Sequence, residues 1–219
     1  MNISRVTHGP FGGDIFAHIV DSLRRDGYCT LNEVFSLLQL QRLFIDSKKT
    51  DRGAFHAAGI GRETAHQLNE FVRRDRICWL GDDNTEVRFY LAWMEQLRLR
   101  LNRELFLGLF DYECHYAHYP KGAFYKKHLD AFSGSSNRRL TTILYLNPSW
   151  QVHDGGELLL YGADGERVLE TVQPGFGNMV IFLSEDFPHE VLPTHKSRYS
   201  LTGWFRINTN IGLSLDPPT

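Results

Sequence analysis

Residues 119–130 read YPKGAFYKKHLD and place His128 and Asp130 two positions apart. In an extended strand the side chains of residues i and i+2 point to the same face, so this pair can reach one metal ion. A third ligand must come from elsewhere, and His189 in SEDFPHEV (residues 184–191) is the best candidate. Two imidazoles and one carboxylate are the set that binds non-haem Fe(II) with coordination positions left open. The sequence therefore predicts an iron site at His128, Asp130 and His189.

The H-x-D pair alone is a weak signal, because the chain has ten histidines and chance spacings are common. A second feature favours a site. Arg198 lies nine residues after His189 and begins RYSLTGWF (residues 198–205), a strand-like run. A buried guanidinium at this position can pair bidentately with the carboxylate of a bound ligand. The pattern therefore favours a metal site that also binds a carboxylate.

Composition narrows the class of protein. A chain of 219 residues can bury a substantial core as one domain, and its formal net charge of −2 gives no reason to expect nucleic acid or a membrane as partner. Three cysteines, without metal or disulfide-framework spacing, indicate a reducing cytoplasm. No stretch has the pattern of a signal peptide or the apolar length of a membrane span. We expect a soluble, unprocessed, cytoplasmic protein.

Helical periodicity dominates the first half of the chain. Apolar residues at helical spacing predict three helices, from Asp14 to a stop at Gly27, from about Asn32 to Lys48, and from about Thr85 to Phe106. Short strands are expected near residues 28–31 and 77–80, and residues 51–63 are expected to form a loop.

The second half has the pattern of an all-β structure. Short strands separated by turn residues are predicted at residues 112–119, 140–146, 157–161, 168–172, 178–183 and 199–207. Helices followed by many short strands predict an α+β fold with a double-stranded β-helix (jelly-roll) core buttressed by N-terminal helices. We expect a single domain over residues 1–219, with helical support over about 12–107 and the jelly-roll core over about 108–208. Residues far apart in sequence can converge at the mouth of such a barrel.

Several motifs together resemble a known family. HLD, PHEV and RYSLTGWF, with YP-KG-FY, ILYLN-W and DGGELLLY, resemble the 2-oxoglutarate- and iron-dependent prolyl hydroxylases. The sequence is most similar to the catalytic domain of the hypoxia-inducible-factor prolyl hydroxylases and their bacterial counterparts. The resemblance is firmest over residues 116–205, and a looser likeness that includes RRDRICWL reaches back to about Gly27.

This resemblance implies roles for individual residues. His128, Asp130 and His189 would be the iron ligands, Arg198 would pair with the distal carboxylate of 2-oxoglutarate, and Tyr145 would hydrogen-bond the same carboxylate. Further pocket-lining positions are Tyr119, Ile143, Leu158, Thr202 and Trp204. The implied cofactors are Fe(II), 2-oxoglutarate as co-substrate and O₂, with ascorbate in support. The implied reaction hydroxylates a prolyl residue while 2-oxoglutarate is decarboxylated to succinate.

The sequence departs from the family pattern in two places. The segment YPKGAFY is one residue shorter than in the animal enzymes, which puts the roles of Tyr119 and Tyr125 in doubt. His115 occupies the position of a pocket methionine, and we interpret it as a plain strand residue rather than an extra ligand. His118, His153 and His195 are likewise expected to be exposed or structural.

Two further segments have alternative interpretations. Trp79 in RRDRICWL lies either at the substrate entrance or in the core. Residues 53–62 correspond to the family's mobile element, which closes over substrate, but a plain surface loop fits them as well.

The resemblance also suggests a partner. It implies a target proline in a loop of a protein substrate, and for bacterial members that substrate is a translation elongation factor of the Tu type. One alternative is an oxygenase that acts on a free amino acid or another small molecule. Another is a non-catalytic metal-binding interaction module, which Arg198 disfavours because a scaffold has no reason to bury an arginine that needs an anionic partner. The sequence does not predict the oligomeric state.

Overall fold

A computed structural model describes residues 13–50, 54–58, 71–81, 84–131 and 137–208. The elements in these ranges are α1 (Ile15–Asp26), β1 (Tyr28–Leu31), α2 (Leu37–Thr50), β2 (His56–Ala57), β3 (Arg76–Trp79), α3 (Arg88–Leu105), β4 (Leu109–Tyr119), β5 (Tyr125–His128), β6 (Arg138–Tyr145), β7 (Leu158–Tyr161), β8 (Val168–Val172), β9 (Met179–Leu183), β10 (His189–Val191) and β11 (Arg198–Ile207). None of these helices is long and apolar enough to span a membrane.

The strands form two antiparallel sheets. The larger sheet has the order β1-β9-β6-β11-β4-β3-β2, and the smaller has the order β5-β10-β7-β8. The non-consecutive neighbours show that the chain passes repeatedly from one sheet to the other, as in a jelly roll. The predicted double-stranded β-helix with helices packed on it is confirmed.

Strand β11 shows how one strand serves two different cores. Tyr199, Leu201 and Phe205 belong to the core between the larger sheet and the helices, which we call the helix-side core. The alternate residues face the smaller sheet, because side chains along a strand point to opposite faces in turn. On that face lie Arg198, Ser200, Thr202 and Trp204, all of which line one pocket.

The helix boundaries follow local capping. The Asp14 side chain accepts a hydrogen bond from the Phe16 amide and starts α1, and Gly27, at φ 78°, ends it as predicted. Helix α2 begins at Leu37, later than the predicted Asn32. The reason is a capping box, in which Gln39 N donates to Ser36 Oγ (3.3 Å) and Ser36 N donates to Gln39 Oε1 (2.9 Å). Helix α3 begins at residue 88 rather than 85, after a turn.

The strand predictions were least complete near the proposed metal site. Strands β5 and β10, which carry His128 and His189, are only four and three residues long and were not predicted as separate strands. Asp130 lies beyond the end of β5, in a bend, so the strand argument for its position was wrong. The described part of the predicted loop at residues 51–63, residues 54–58, contains β2. Residues 51–53 and 59–63, with half of the expected closing element at 53–62, lie outside the described residues.

A buried chain of hydroxyl groups crosses the helix-side face of the larger sheet. The Tyr112 hydroxyl lies 2.8 Å from that of Tyr90 and 2.6 Å from Oγ1 of Thr142. The Tyr112 phenol passes directly over Gly203, where a Cβ atom would lie 2.2 Å from the phenolic oxygen. Glycine is therefore required at position 203 by a close approach.

We expect Gly203→Ala to lower the free energy of unfolding by about 1–3 kcal/mol, because the new methyl group overpacks the site and disturbs the hydroxyl chain. Urea denaturation measures this loss. The matched control is Gly162→Ala, where the added Cβ would meet its nearest atom, in Asp164, at an ordinary 3.4 Å. Equal stability of the two variants would show that the strand yields at no cost.

Candidate active site

The smaller sheet brings the three predicted metal ligands together. Strands β5 and β10 pair with His128 opposite His189, and the two ring centroids are 4.3 Å apart. Asp130 lies between them, with Oδ1 3.5 Å from Nε2 of His128 and Oδ2 3.6 Å from Nε2 of His189. One ligand atom from each residue lies within 4.8 Å of the others. This spacing suits the coordination of a single metal ion.

Main-chain carbonyls fix the tautomers of both histidines. His128 Nδ1 lies 2.8 Å from the carbonyl oxygen of Lys126, and His189 Nδ1 lies 3.0 Å from that of Phe187. A carbonyl only accepts, so each Nδ1 carries the hydrogen. Each Nε2 therefore keeps its lone pair for a metal, which is how second partners orient histidine ligands.

Asp130 is held by the hydroxyl group of Thr141, which sequence reasoning missed. Its Oδ2 accepts a hydrogen bond from Thr141 Oγ1 (2.8 Å), which also lies 2.8 Å from Ser184 Oγ. Burial opposes ionisation of Asp130, but His189 and His128 outweigh it and hold the pKa of this carboxyl well below its usual range. The carboxylate is therefore ionised and oriented at neutral pH.

His189 is neutral in the same environment. Burial lowers its pKa to about 4, although Asp130 acts in the opposite direction. A neutral imidazole beside an ionised carboxylate is the protonation state that metal binding requires.

Arg198 lies deep in the pocket, with 1% of its surface exposed. Its Nε donates to the carbonyl oxygen of Gly156 (2.9 Å), and its guanidinium carbon lies 4.8 Å from the ring centre of Tyr119 and 5.0 Å from that of Tyr145. Among the residues that the structure describes, no Asp or Glu forms an ion pair with it. A buried guanidinium in this state has room for a carboxylate from a ligand.

The DGGE motif explains how the main chain comes so close to Arg198. Gly155 and Gly156 both have positive φ, 66° and 71°. A Cβ on Gly155 would lie 2.5 Å from the carbonyl oxygen of Pro193, and one on Gly156 would lie 3.0 Å from Cδ of Arg198. The paired glycines therefore let this turn pack against the segment leading into β11.

The other predicted pocket residues line the same pocket, except Tyr145, which lies behind its wall. Tyr145 is fully buried beside Arg198, and its hydroxyl makes no hydrogen bond to the described residues. Burial raises its pKa to about 12, so it remains a hydroxyl with a hydrogen to donate. The predicted residues that line the pocket with the metal ligands and Arg198 are Tyr119, Ile143, Leu158, Thr202 and Trp204.

The structure places His115 in the pocket wall and Trp79 at the surface beside it. His115 is a strand residue that lines the pocket, but it lies outside the metal-ligating group. Trp79 is 51% exposed, so the core interpretation was wrong. It packs edge-on against His115, at 5.0 Å between ring centroids, and lies 6.1 Å from Trp204.

His118, His153 and His195 lie outside the metal-ligating cluster. His118 is buried and stacks on Tyr199, with ring centroids 4.4 Å apart, while His153 and His195 are exposed. These positions agree with the prediction that all three are structural or exposed.

The structure adds three charged residues to the pocket that were not predicted. Arg73 and Asp75 form an ion pair in its wall, and Arg138 lies flat over Trp204 at 3.5 Å. The run RRDRICWL contained the signal for the first pair, but charged runs usually form solvated faces.

Comparison with known proteins agrees with this geometry. Residues 114–206 match the model of the 2OG-Fe(II) oxygenase superfamily. Mouse prolyl hydroxylase EGLN3 is 28% identical over 199 residues, covering 86% of this chain and 82% of the relative.

Solved structures extend the likeness. The crystal structure of a Pseudomonas putida prolyl-4-hydroxylase is 41% identical, with a TM-score of 0.80, and the match covers 89% of this chain and all of the other. A Trichoplax adhaerens prolyl hydroxylase in complex with a peptide of hypoxia inducible factor is 26% identical, with a TM-score of 0.79, over 88% of this chain and 89% of the other.

A jelly roll with two imidazoles and a carboxylate at its mouth defines the class of non-haem iron oxygenases. The chain belongs to the 2OG-Fe(II) oxygenase superfamily. The cofactors of this superfamily are Fe(II), 2-oxoglutarate and O₂.

The buried His115 predicts a dependence of stability on pH. Burial, with the charge of Arg73, lowers its pKa to about 4 from the usual 6.5. Between these values the unfolded chain binds more protons, so the native state loses stability as pH falls through this window. We expect His115→Gln, in metal-free protein, to reduce the loss of unfolding free energy between pH 7 and pH 5 by about 2 kcal/mol.

Urea denaturation at the two pH values measures this difference. The exposed His153→Gln is the control and should keep the wild-type dependence on pH. An unchanged pH dependence in His115→Gln would mean that His115 is readily protonated in the folded protein.

Proposed function

We propose that this protein is a prolyl 4-hydroxylase that uses Fe(II), 2-oxoglutarate and O₂. The observation that carries the proposal is the presence, in one pocket, of a two-histidine, one-carboxylate cluster and a buried arginine that has no carboxylate partner among the described residues. We take the ranges described here as one catalytic domain.

In this proposal His128, Asp130 and His189 hold the iron. Their ligand atoms lie within 4.8 Å of one another, and metal binding requires no proton release from the ionised Asp130 or the neutral His189. Thr141 keeps Asp130 from rotating, because its hydroxyl occupies one carboxylate oxygen.

Arg198 and Tyr145 would bind the distal carboxylate of 2-oxoglutarate. The guanidinium offers its remaining N–H donors, and the unpartnered Tyr145 hydroxyl offers another. A dicarboxylate would therefore give a carboxylate partner to Arg198 and a hydrogen-bond acceptor to the Tyr145 hydroxyl, neither of which has one among the described residues. This need is the reason to prefer 2-oxoglutarate over a neutral ligand.

When bound, iron and 2-oxoglutarate with O₂ supply the oxidative decarboxylation to succinate and CO₂ that places the second oxygen atom on a substrate carbon. The chain's own part is to orient the ligands and to limit water. Apolar side chains of Ile143, Leu158 and Val191 form part of the pocket wall, which lowers the local polarity around the charged groups.

We propose that the substrate is a prolyl residue in a protein. Support comes from the relatives, which are prolyl hydroxylases, one of them in complex with a peptide of hypoxia inducible factor. Because the 41% identical structure is a bacterial prolyl-4-hydroxylase, the first protein to test is a translation elongation factor of the Tu type. A cytoplasmic location, predicted from cysteine usage, is consistent with that partner.

Replacing Arg198 by lysine should raise the KM for 2-oxoglutarate at least tenfold, because an ammonium cannot reproduce a bidentate contact. Loss of a buried, hydrogen-bonded charge partner costs about 2–5 kcal/mol, which sets the scale for Arg198→Ala. The rate of succinate formation, measured at varied 2-oxoglutarate concentration, gives the KM of each variant. The control is Arg139→Lys, which makes the same replacement at a side chain that is 42% exposed and pairs with Glu185. An unchanged KM in Arg198→Lys would remove this residue from the co-substrate site.

The substrate proposal predicts that a protein gains one oxygen atom on proline. A bacterial lysate is incubated with the enzyme, Fe(II), ascorbate and 2-oxoglutarate, and tryptic peptides are compared by mass spectrometry with a parallel Arg198→Ala sample. We expect a peptide 16 Da heavier at proline only with wild-type enzyme, and the elongation factor is inspected first.

Three other outcomes have distinct meanings. Modification of a different protein would replace the elongation factor as partner. Succinate formation with a free amino acid but without modified protein would support a small-molecule oxygenase. Iron binding without succinate formation and without any modified substrate would support a non-catalytic metal-binding module.

A further inference from the structure

One segment joins the two sheets beside the metal cluster. Residues 72–74 run along β5 of the smaller sheet: Arg74 N donates to the carbonyl of Phe124 (3.0 Å), and Lys126 N donates to that of Val72 (2.9 Å). Immediately afterwards β3 pairs with β4 of the larger sheet. The residue at the crossing is Asp75, so the chain changes sheets at this point.

A buried ion pair holds the crossing. Arg73 Nε and Nη2 donate to the two carboxylate oxygens of Asp75, at 2.7 and 2.6 Å. The side chain of Asp75 is fully buried and that of Arg73 is 12% exposed. Although burial opposes the charge on Arg73, the contact with Asp75 raises its pKa, so the guanidinium keeps its charge. A bidentate, buried pair has a single favoured geometry, which fixes the guanidinium plane.

The fixed guanidinium continues into a stack that ends on a metal ligand. The Arg73 guanidinium carbon lies 4.2 Å from the ring centre of Tyr125. The Tyr125 ring in turn lies 3.5 Å from the His128 ring, with only 16° between the planes. The His189 ring also lies beside the His128 ring, with centroids 4.3 Å apart, and Nδ1 of His128 is hydrogen-bonded to a main-chain carbonyl.

We propose that Arg73, Asp75 and Tyr125 are positioning residues that hold the His128 ring in the orientation needed to bind metal. The strand pairing and the ring contacts around His128 support this role. β5 pairs with β10 through an irregular register, so strand pairing alone leaves freedom at its end. The stack removes that freedom, because a ring covered on one face by Tyr125 and bonded at Nδ1 cannot turn about χ2. This inference rests on the proposed function, since it takes His128 as a metal ligand.

The test uses metal-free protein titrated anaerobically with Co(II), followed by the visible bands of the bound ion and by metal-induced thermal stabilisation. Arg73→Ala and Tyr125→Leu should each weaken Co(II) binding by tenfold or more, the scale typical of residues that orient metal ligands. Tyr125→Phe keeps the ring and should retain the wild-type affinity. Arg74→Ala is the matched control, because that neighbouring guanidinium lies over Phe124 instead, at 5.2 Å.

Melting of the metal-free variants separates positioning from folding. If Arg73→Ala does not fold, the comparison of Tyr125→Leu with Tyr125→Phe still decides. Wild-type affinity in a folded Tyr125→Leu variant would overturn the proposal, as would equal losses in the Phe and Leu variants, which would indicate the hydroxyl rather than the stack. His128→Ala tests the underlying site: if it binds Co(II) like wild type, the proposed metal site fails, and not only its positioning.

Discussion

The buried charge of Arg198 constrains the rest of this fold. Removing a guanidinium from water is costly unless anions or hydrogen bonds compensate, and here the chain supplies the Gly156 carbonyl and two tyrosine rings but no described carboxylate. The surrounding features follow from that need. The paired glycines of the DGGE motif allow the Gly156 carbonyl to reach Nε of Arg198. Tyr119 and Tyr145 present their π-faces to the guanidinium.

The pocket has a negative charge at one end and a positive charge at the other, and each favours a ligand of opposite charge. Asp130 provides a negative charge beside the neutral imidazole of His189, which favours a divalent cation. Arg198 provides a positive charge at the other end, which favours an anion. A ligand with carboxylates, bound to a cation at one end and to arginine at the other, matches both. Among the described residues the buried Tyr145 hydroxyl has no hydrogen-bond partner, so binding of such a ligand should also stabilise the fold.

The sequence predicted those residues of the site whose side-chain type itself indicates a metal ligand or a carboxylate partner. H-x-D, the later histidine and the arginine could be predicted because few other roles combine them. The contact of Thr141 with Asp130, and that of Ser184 with Thr141, could not, because the second depends on β6 and the end of β9 lying side by side. Strand β10 has three residues, too few for any periodicity. The start of α2 was misplaced because side-chain capping at Ser36, rather than hydrophobic pattern, decides it.

Strand β11 joins stability to function, because its two faces belong to different parts of the protein. A shift of one residue in its register would turn the other face of the strand to each side. Leu201 and Phe205 would then enter the pocket, and Thr202 and Trp204 would lie under the helices. The helix-side core therefore does more than stabilise the sheet. By accepting only one register, with Gly203 beneath the Tyr112 phenol, it determines the depth at which Arg198 stands in the pocket. The N-terminal helices, which contribute no side chain to the pocket lining, thus act on the site through the strand they cover.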